Sequence, residues 1–413
     1  MRSFKKFAVG IAAVATLSFA LAACGGDDTT AAGDSTETTA PVKPANCEAA
    51  ENLCVGLVTD VGKIDDKSFN QSAYEGALLA GRESGAQVDF IETTDSKDYA
   101  TNIGTFVDQK FDVILTVGFA LGEATIKAAT DNPKTSFIGV DQFQGKALPN
   151  LTGLIFNEDK AGFLAGALAG LVTKTNKVGA VLGTNLVPPV VAYKEGFEAG
   201  AKYSNPKVSV KSTYHPGGID VAFTDPTFGA DTARQALDQG IDVIFGAGGK
   251  TGNGALAEVA KKGGAAFCIG VDTDQWETVP EAHPCLITSA VKLITPAVAK
   301  IVGDIKAGTA KGGNFFGDVG LSSYHDFDAT IAEVLAEERS RVADDGMALA
   351  MGGGVFRHLM EQAKEFGATK DPVLRQALMR VYILRELHRY NGLRAKATLA
   401  AGGQRSEEHT SEL

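Results

Sequence analysis

The chain has 413 residues, a formal net charge of −11, 44% hydrophobic residues and 22% charged ones. That length exceeds a single small core and fits two or more lobes. The acidic balance excludes a nucleic-acid surface and a polybasic membrane patch.

Taken in order, residues 1–23 read as a targeting segment. Arg2, Lys5 and Lys6 form a positive start, and Phe7–Ala23 is an uncharged run of small apolar residues. It is short for a membrane span and poor in Leu and Ile. The run closes in Leu21-Ala22-Ala23-Cys24, which resembles the bacterial lipobox. That resemblance implies cleavage before Cys24 and a diacylglycerol on its sulfur, with the protein on the outer or periplasmic side of a bacterial cell membrane. Residues 24–52 then form a tether, whose Gly25–Asn46 part lacks any apolar period and cannot offset its own ordering entropy. Export implies an oxidising compartment, so Cys47, Cys54, Cys268 and Cys285 are expected to form two disulfides. Proximity suggests Cys47–Cys54 and Cys268–Cys285, although four cysteines allow three pairings.

From Leu53 onward, apolar strands alternate with helices. Leu53–Val58 is the first strand, and the loop Thr-Asp-Val-Gly-Lys-Ile-Asp-Asp-Lys-Ser-Phe-Asn (59–70) leads into a helix over Ser68–Gly85. Further strands are expected at Val88–Ile91, Val113–Val117, Phe137–Val140 and Leu151–Phe156, then Val178–Leu182, Val208–Tyr214, Val243–Phe245 and Phe267–Val271. Two βαβ series predict an α/β protein of two doubly wound parallel-sheet lobes. Leu286–Lys292 reads as a returning strand, Thr295–Ala307 as an amphipathic helix and Asn314–Asp328 as a last strand pair.

In open α/β sheets, ligands bind beyond the carboxyl ends of strands. Asp60, Asp141 and Asp272 stand there, and the first loop adds an aromatic face, Phe69, and an amide, Asn70. Such a set suits a flat polar ligand, stacked on its face and hydrogen-bonded at its edge. The competing structural reading is a helix cap and a core Phe. Asp65 and Asp66 are open to cation binding or simple solvation. The turn Gly246–Gly254 contains Gly-Lys-Thr, but Ile244 stands where a phosphate loop requires glycine. Backbone approach to the ligand at a helix start is its expected use. The scattered histidines show no metal-ligand spacing, and neither cofactor nor metal is expected.

The loop motif, with Gly139-Val140-Asp141-Gln142, Phe163-Leu164-Ala165-Gly166, the turn 247–254, Gly270-Val271-Asp272-Thr273-Asp274-Gln275 and Thr288-Ser289-Ala290-Val291-Lys292, resembles the basic membrane protein (BMP) family. These are substrate-binding lipoproteins of ABC importers, and they include purine-nucleoside receptors. The resemblance covers about Val55–Asp328. It implies a bilobal type I periplasmic-binding-protein fold over 53–335 with several hinge crossings, lobe 1 being about 53–152 and 286–310, lobe 2 about 153–285 and 311–335. It also implies a monomer that captures a nucleoside and hands it to permease and ATPase subunits, without enzyme activity. Phe69 would stack the base, Asn70 would line its edge, and Asp60 and Asp141 would accept from base or ribose. Asp272 and Lys292 would hold the ribose. Gly248 would let backbone approach, and Phe245 would supply a second ring, with Phe119 behind it. A sugar or another small polar metabolite is the alternative ligand.

After about residue 335 the texture changes. Within 336–404, the run Asp371-Pro372-Val373-Leu374-Arg375-Gln376 and the Arg- and Leu-rich stretch after it resemble the carboxyl-terminal helical domain of acyl-CoA dehydrogenases. That family's flavin-binding region and catalytic glutamate motif are missing, so no dehydrogenase activity follows. Residues 405–413 resemble the translation of a sequencing adapter. A chimeric reading frame, with residues after about 340 foreign to the rest, is the expectation.

Overall fold

The computed structural model describes Cys47 and residues 52–338. The lipobox, the tether apart from Cys47 and Asn52, and the extension expected to be helical with its tail, after 338, lie outside the described residues. In chain order the strands are β1 (Cys54–Val61), β2 (Gln87–Thr93), β3 (Val113–Val117), β4 (Ser136–Val140), β5 (Leu151–Ile155), β6 (Lys177–Leu182), β7 (Ser209–Tyr214), β8 (Val243–Ala247), β9 (Phe267–Asp272), β10 (Leu286–Lys292), β11 (Gly313–Phe316) and β12 (Val319–Leu321). The helices are α1 (Phe69–Ser84), α2 (Tyr99–Asp108), α3 (Gly122–Asp131), α4 (Glu158–Val172), α5 (Pro188–Ser204), α6 (Ile219–Ala222), α7 (Pro226–Asp238), α8 (Gly249–Ala260), α9 (Gln275–Thr278) and α10 (Ile294–Lys306).

Two sheets with the same winding result, ordered β2-β1-β3-β4-β5-β11 and β7-β6-β8-β9-β10-β12. The runs are parallel, most strands returning through a helix and β5 through the loop 141–150, and among the described strands β12 alone pairs antiparallel, on β10. Helices cover both faces of each sheet, so strands such as Val113–Val117 and Val243–Ala247 are buried at every position. One core lies on each face, built for the first sheet around Leu57, Leu115 and Ile138 on one side and Val58, Ile114 and Phe137 on the other. Among the described residues no helix is long and apolar enough to cross a membrane.

The crossings differ from those the sequence suggested. β10 belongs to the second sheet, not to lobe 1, and β11 belongs to the first, not to lobe 2. The chain therefore changes sheets between β5 and α4, between β10 and α10, and between β11 and β12. Pairing fixes this: β10 runs beside β9 from Leu286↔Cys268 to Val291↔Asp272. The Cys268–Cys285 disulfide holds the start of that pair, and Cys47 is joined to Cys54. The helix α10 does lie with the first lobe, where Val298 fits over Gly76 of α1. Residues 328–338 are helical, and Ile331, Val334 and Leu335 pack on the second core.

Helices α4 and α5 approach closely enough that Gly162, Gly166, Gly196 and Gly200 each face backbone of the other helix. A methyl at Gly166 would run into the Phe197 carbonyl oxygen. Gly303 in α10 faces open space. Gly166→Ala is therefore expected to destabilise by about 1–3 kcal/mol through overpacking, whereas Gly303→Ala gains about 0.5–1 kcal/mol from helix propensity. Urea unfolding compares them, and a stabilised Gly166→Ala would contradict this packing.

Candidate ligand-binding site

The carboxyl ends of both sheets converge on a cavity of about 300 Å³, a size at the small end for ligand pockets. Of the residues singled out from the sequence, Asp60, Phe69, Asn70, Asp141, Gly248, Asp272 and Lys292 line it, as does Phe119. Phe245 does not. It is fully buried in the second core, its ring 5.2 Å from that of Phe197. As the middle residue of β8 it points at a sheet face, and both faces are covered by helices; the strand residues that reach the cleft stand at the carboxyl ends. The aromatics that line the second lobe's side are Phe223, which follows the short helix α6, and Tyr193 on α5.

The first loop is organised by Asp66, which is buried rather than solvated. Its carboxylate accepts from the N–H groups of Ser68 (2.9 Å), Asn70 (2.9 Å) and Gln71 (3.1 Å). These are donors at the start of α1, which a helix leaves unpaired. Asp65 is exposed and pairs with Lys250 at 3.3 Å. With α1 so capped, Asn70 Nδ2 donates to Asp60 Oδ1 (3.1 Å), and Ser68 Oγ donates to Asp272 Oδ2 on the other lobe (3.1 Å). Further bonds bind the loop to the second lobe. Asn253 donates to the Asp66 carbonyl at 2.9 Å, and Gln275 and Thr278 donate to that of Lys67 at 3.2 and 2.8 Å. The lobes are closed on each other.

Asp141 and Asp272 occupy equivalent places. Each follows a Gly-Val pair ending a parallel strand, and each adopts the left-handed region, φ 60° and 66°, which Asp tolerates better than most residues. A glutamine supports each turn: Gln142 Nε2 donates to the Gly118 carbonyl (3.0 Å), and Gln275 Oε1 accepts from Val271 N–H (3.0 Å). Gly139 and Gly270 leave room for those glutamine side chains.

Lys292, at the end of β10, is 4% exposed. Its Nζ lies 2.7 Å from Asp141 Oδ2, 3.5 Å from Asp272 Oδ1, 3.6 Å from Glu158 Oε1 and 4.6 Å from the Phe69 ring centre. Burial works against the ammonium, but Asp141, Asp272 and Glu158 outweigh it and its pKa is raised. Burial also pushes Glu158 up to about 7 against the pull of Lys292, and it raises Asp141. Asp60 is half-buried with its open side in the cavity rather than in bulk solvent, and burial pushes it up to about 7. Asp66 rises to about 6 for the same reason, although its N–H partners oppose the shift.

Two buried acceptors in this cavity, Asn70 Oδ1 and Asp141 Oδ1, have no hydrogen-bond partner. Buried polar atoms are rarely left so, and both invite donors from a ligand.

Residues 54–319 match the family described as ABC transporter substrate-binding protein PnrA-like, Bmp. The chain belongs to this family. It is thus a substrate-binding protein that takes a small ligand and works with permease and ATPase subunits, not an enzyme. Among its Bmp relatives, the CD4+ T-cell-stimulating antigen of Listeria monocytogenes is 34% identical over 69% of this chain and 84% of that protein. The ABC transporter nucleoside-binding protein BmpA of Lactococcus lactis is 31% identical over 66% and 75%. A solute-binding protein of an Aeropyrum pernix ABC transporter system superposes with a TM-score of 0.59 at 28% identity, covering 72% of this chain and 89% of that one. The fold is that of type I periplasmic solute-binding proteins.

Sequence reasoning missed Glu158, Phe223 and Tyr193. Glu158 looks like an ordinary acidic residue in a first helical turn, and only the crossing after β5 turns it inward. Tyr193 donates to the Ala290 carbonyl (3.1 Å) and lines the cavity from α5. Gly248 and Gly249 turn out to pack on protein: a Cβ at Gly248 would lie 2.7 Å from Gly183 N, and one at Gly249 3.0 Å from the Phe223 carbonyl oxygen.

Asp60 and Glu158 carry raised pKa values, so the folded chain holds protons that the unfolded chain releases. Stability is then greatest below the ordinary carboxylate range and falls as pH rises towards about 7. Lys292→Met removes the compensating charge and should cost about 3–5 kcal/mol at pH 8, less at pH 5 where the carboxylates protonate. Urea midpoints at both pH values check this; a loss independent of pH would count against the shared-ammonium account.

Proposed function

We propose that this Bmp-family protein captures a purine nucleoside on the outer side of the cell membrane, anchored through lipid on Cys24, and delivers it to its permease. The observation that carries the reading is the pairing of unsatisfied acceptors with ring faces in one cavity. Asn70 Oδ1 and Asp141 Oδ1 lack donors, and Phe69, Phe119 and Phe223 line the same space. A purine base offers a flat face for stacking and N–H groups at its edge. A ribose offers vicinal hydroxyls that an ionised carboxylate accepts from in charge-assisted bonds.

In this reading Phe69 stacks the base, Asn70 and Asp60 meet its edge, and Asp141, Asp272 and Lys292 hold the ribose. Phe223 takes the place expected of Phe245. The concentration of carboxylates disfavours a phosphate, so the ligand is unphosphorylated. The nucleoside-binding BmpA of Lactococcus lactis lends support at family level.

Calorimetry with guanosine, inosine, pentoses and hexoses tests the assignment, with tightest binding expected for the purine nucleosides. Sugar binding without nucleoside binding would replace it. Phe69→Ala should weaken nucleoside binding by about 1–3 kcal/mol, roughly ten- to hundred-fold, if stacking carries its usual worth. Unchanged affinity in that variant would remove Phe69 from the site.

A further inference from the structure

Lys292 and Asp272 end strands of the second sheet, and Glu158 begins α4, which packs on that sheet, whereas Asp141 follows β4 of the first. The shortest of its ion pairs, 2.7 Å to Asp141, is therefore a bond between lobes. Glu158 and Asp272 stay with Lys292 whatever the cleft does. Opening would part Asp141 from the ammonium and leave one positive charge facing two carboxylates. Closing brings in a third carboxylate and removes water from all of them.

A single ammonium cannot compensate three carboxylates in a space that excludes solvent, and like charges at such distances raise the cost of ionisation. Of the three, Glu158 is held least well. It is the furthest from Lys292, at 3.6 Å, while Asp141 has the direct hydrogen bond and Asp272 accepts from Ser68 Oγ. The groups around Glu158 are Lys292 on β10, Asp141 after β4, Asp272 at the end of β9 and Tyr193 on α5. The strands β8 and β12, which also touch α4, carry no ionisable side chain.

We propose that closing the cleft takes up a proton, and that Glu158 is the positioning residue that holds it, so that capture is tighter in acidic surroundings. The inference rests on the capture-by-closure reading but not on the identity of the ligand. The raised Glu158 pKa in this closed form, about 7, agrees with it. In the open form Glu158 regains water and loses its Asp141 neighbour, so its pKa returns towards the carboxylate range. Between those two values the closed form holds a proton that the open form lacks. Closure is then strongest at low pH, weakens as pH rises to about 7, and levels off above it.

Spin labels on Lys97→Cys and Lys211→Cys measure this in the full chain, with Cys24→Ser so that only the introduced thiols react. Lys97 follows β2 and Lys211 lies on β7, the sheet edges farthest from the crossings, where hinge motion is largest. Without ligand, the closed-to-open ratio should fall by up to about tenfold per pH unit between pH 5 and 7. Glu158→Gln, which mimics the protonated residue, should lower that slope by about one proton and favour the closed form at pH 8. A distance distribution independent of pH, or an unchanged slope in Glu158→Gln, overturns the proposal. Saturating guanosine forms a separate arm. A ligand-driven shift without a pH-driven one defeats the proton coupling and leaves the nucleoside reading standing. A pH-driven shift without a guanosine effect does the reverse.

Discussion

The ammonium of Lys292 is the point on which both lobes depend. An ion of that size loses several kcal/mol on leaving water unless neighbouring charges restore what hydration supplied. Here Glu158 and Asp272 restore part of it from its own lobe, Asp141 from the other, and the Phe69 ring lies 4.6 Å away. The arrangement is complete only when the lobes meet. The candidate site and the closure contact thus share Asp141 and Lys292, and a ligand that reached both would bear on the equilibrium between open and closed forms.

The two lobes reach this point by the same local device. Gly-Val-Asp ends β4 and recurs at the end of β9, each aspartate in left-handed backbone, each turn held by a glutamine folded back over the glycine. A left-handed residue at a strand end turns its side chain out of the sheet's alternation and over the edge, towards the crevice. The glycine serves the same end, since a side chain there would evict the glutamine that holds the turn. Two sheets wound alike therefore present one carboxylate each to the space between them.

That device explains which parts of the site were legible in the sequence. A carboxylate directly after a buried apolar run has few places to go except the strand end, so Asp141 and Asp272 stood out, and the two windings followed from alternation of strand and helix. Phe245 misled because it lies inside such a run, where a doubly wound sheet covers both faces; its neighbours in strand parity, Val243 and Ala247, share its core. The membership of β10 and β11 was not legible either. An apolar strand carries no mark of which sheet it joins, and the register beside β9 is a tertiary fact. Phe223 and Glu158 lack a local signal altogether, since the path of the chain around them brings Phe223 to the cavity and Glu158 to the Lys292 ammonium behind it.

The glycine-rich turn shows how a motif can be absorbed by packing. A phosphate-binding turn offers free backbone N–H groups and a lysine to an anion. Here Lys250 N–H donates to the Phe223 carbonyl at 2.9 Å, and its ammonium meets Asp65 at 3.3 Å. The Phe223 ring in turn lies against Gly183, where a side chain would collide with it. The groups that could hold a phosphate instead seat an aromatic ring beside the cavity. The glycines are there for close contact between protein segments, and the anion-binding capacity they resemble is already spent on Phe223 and Asp65.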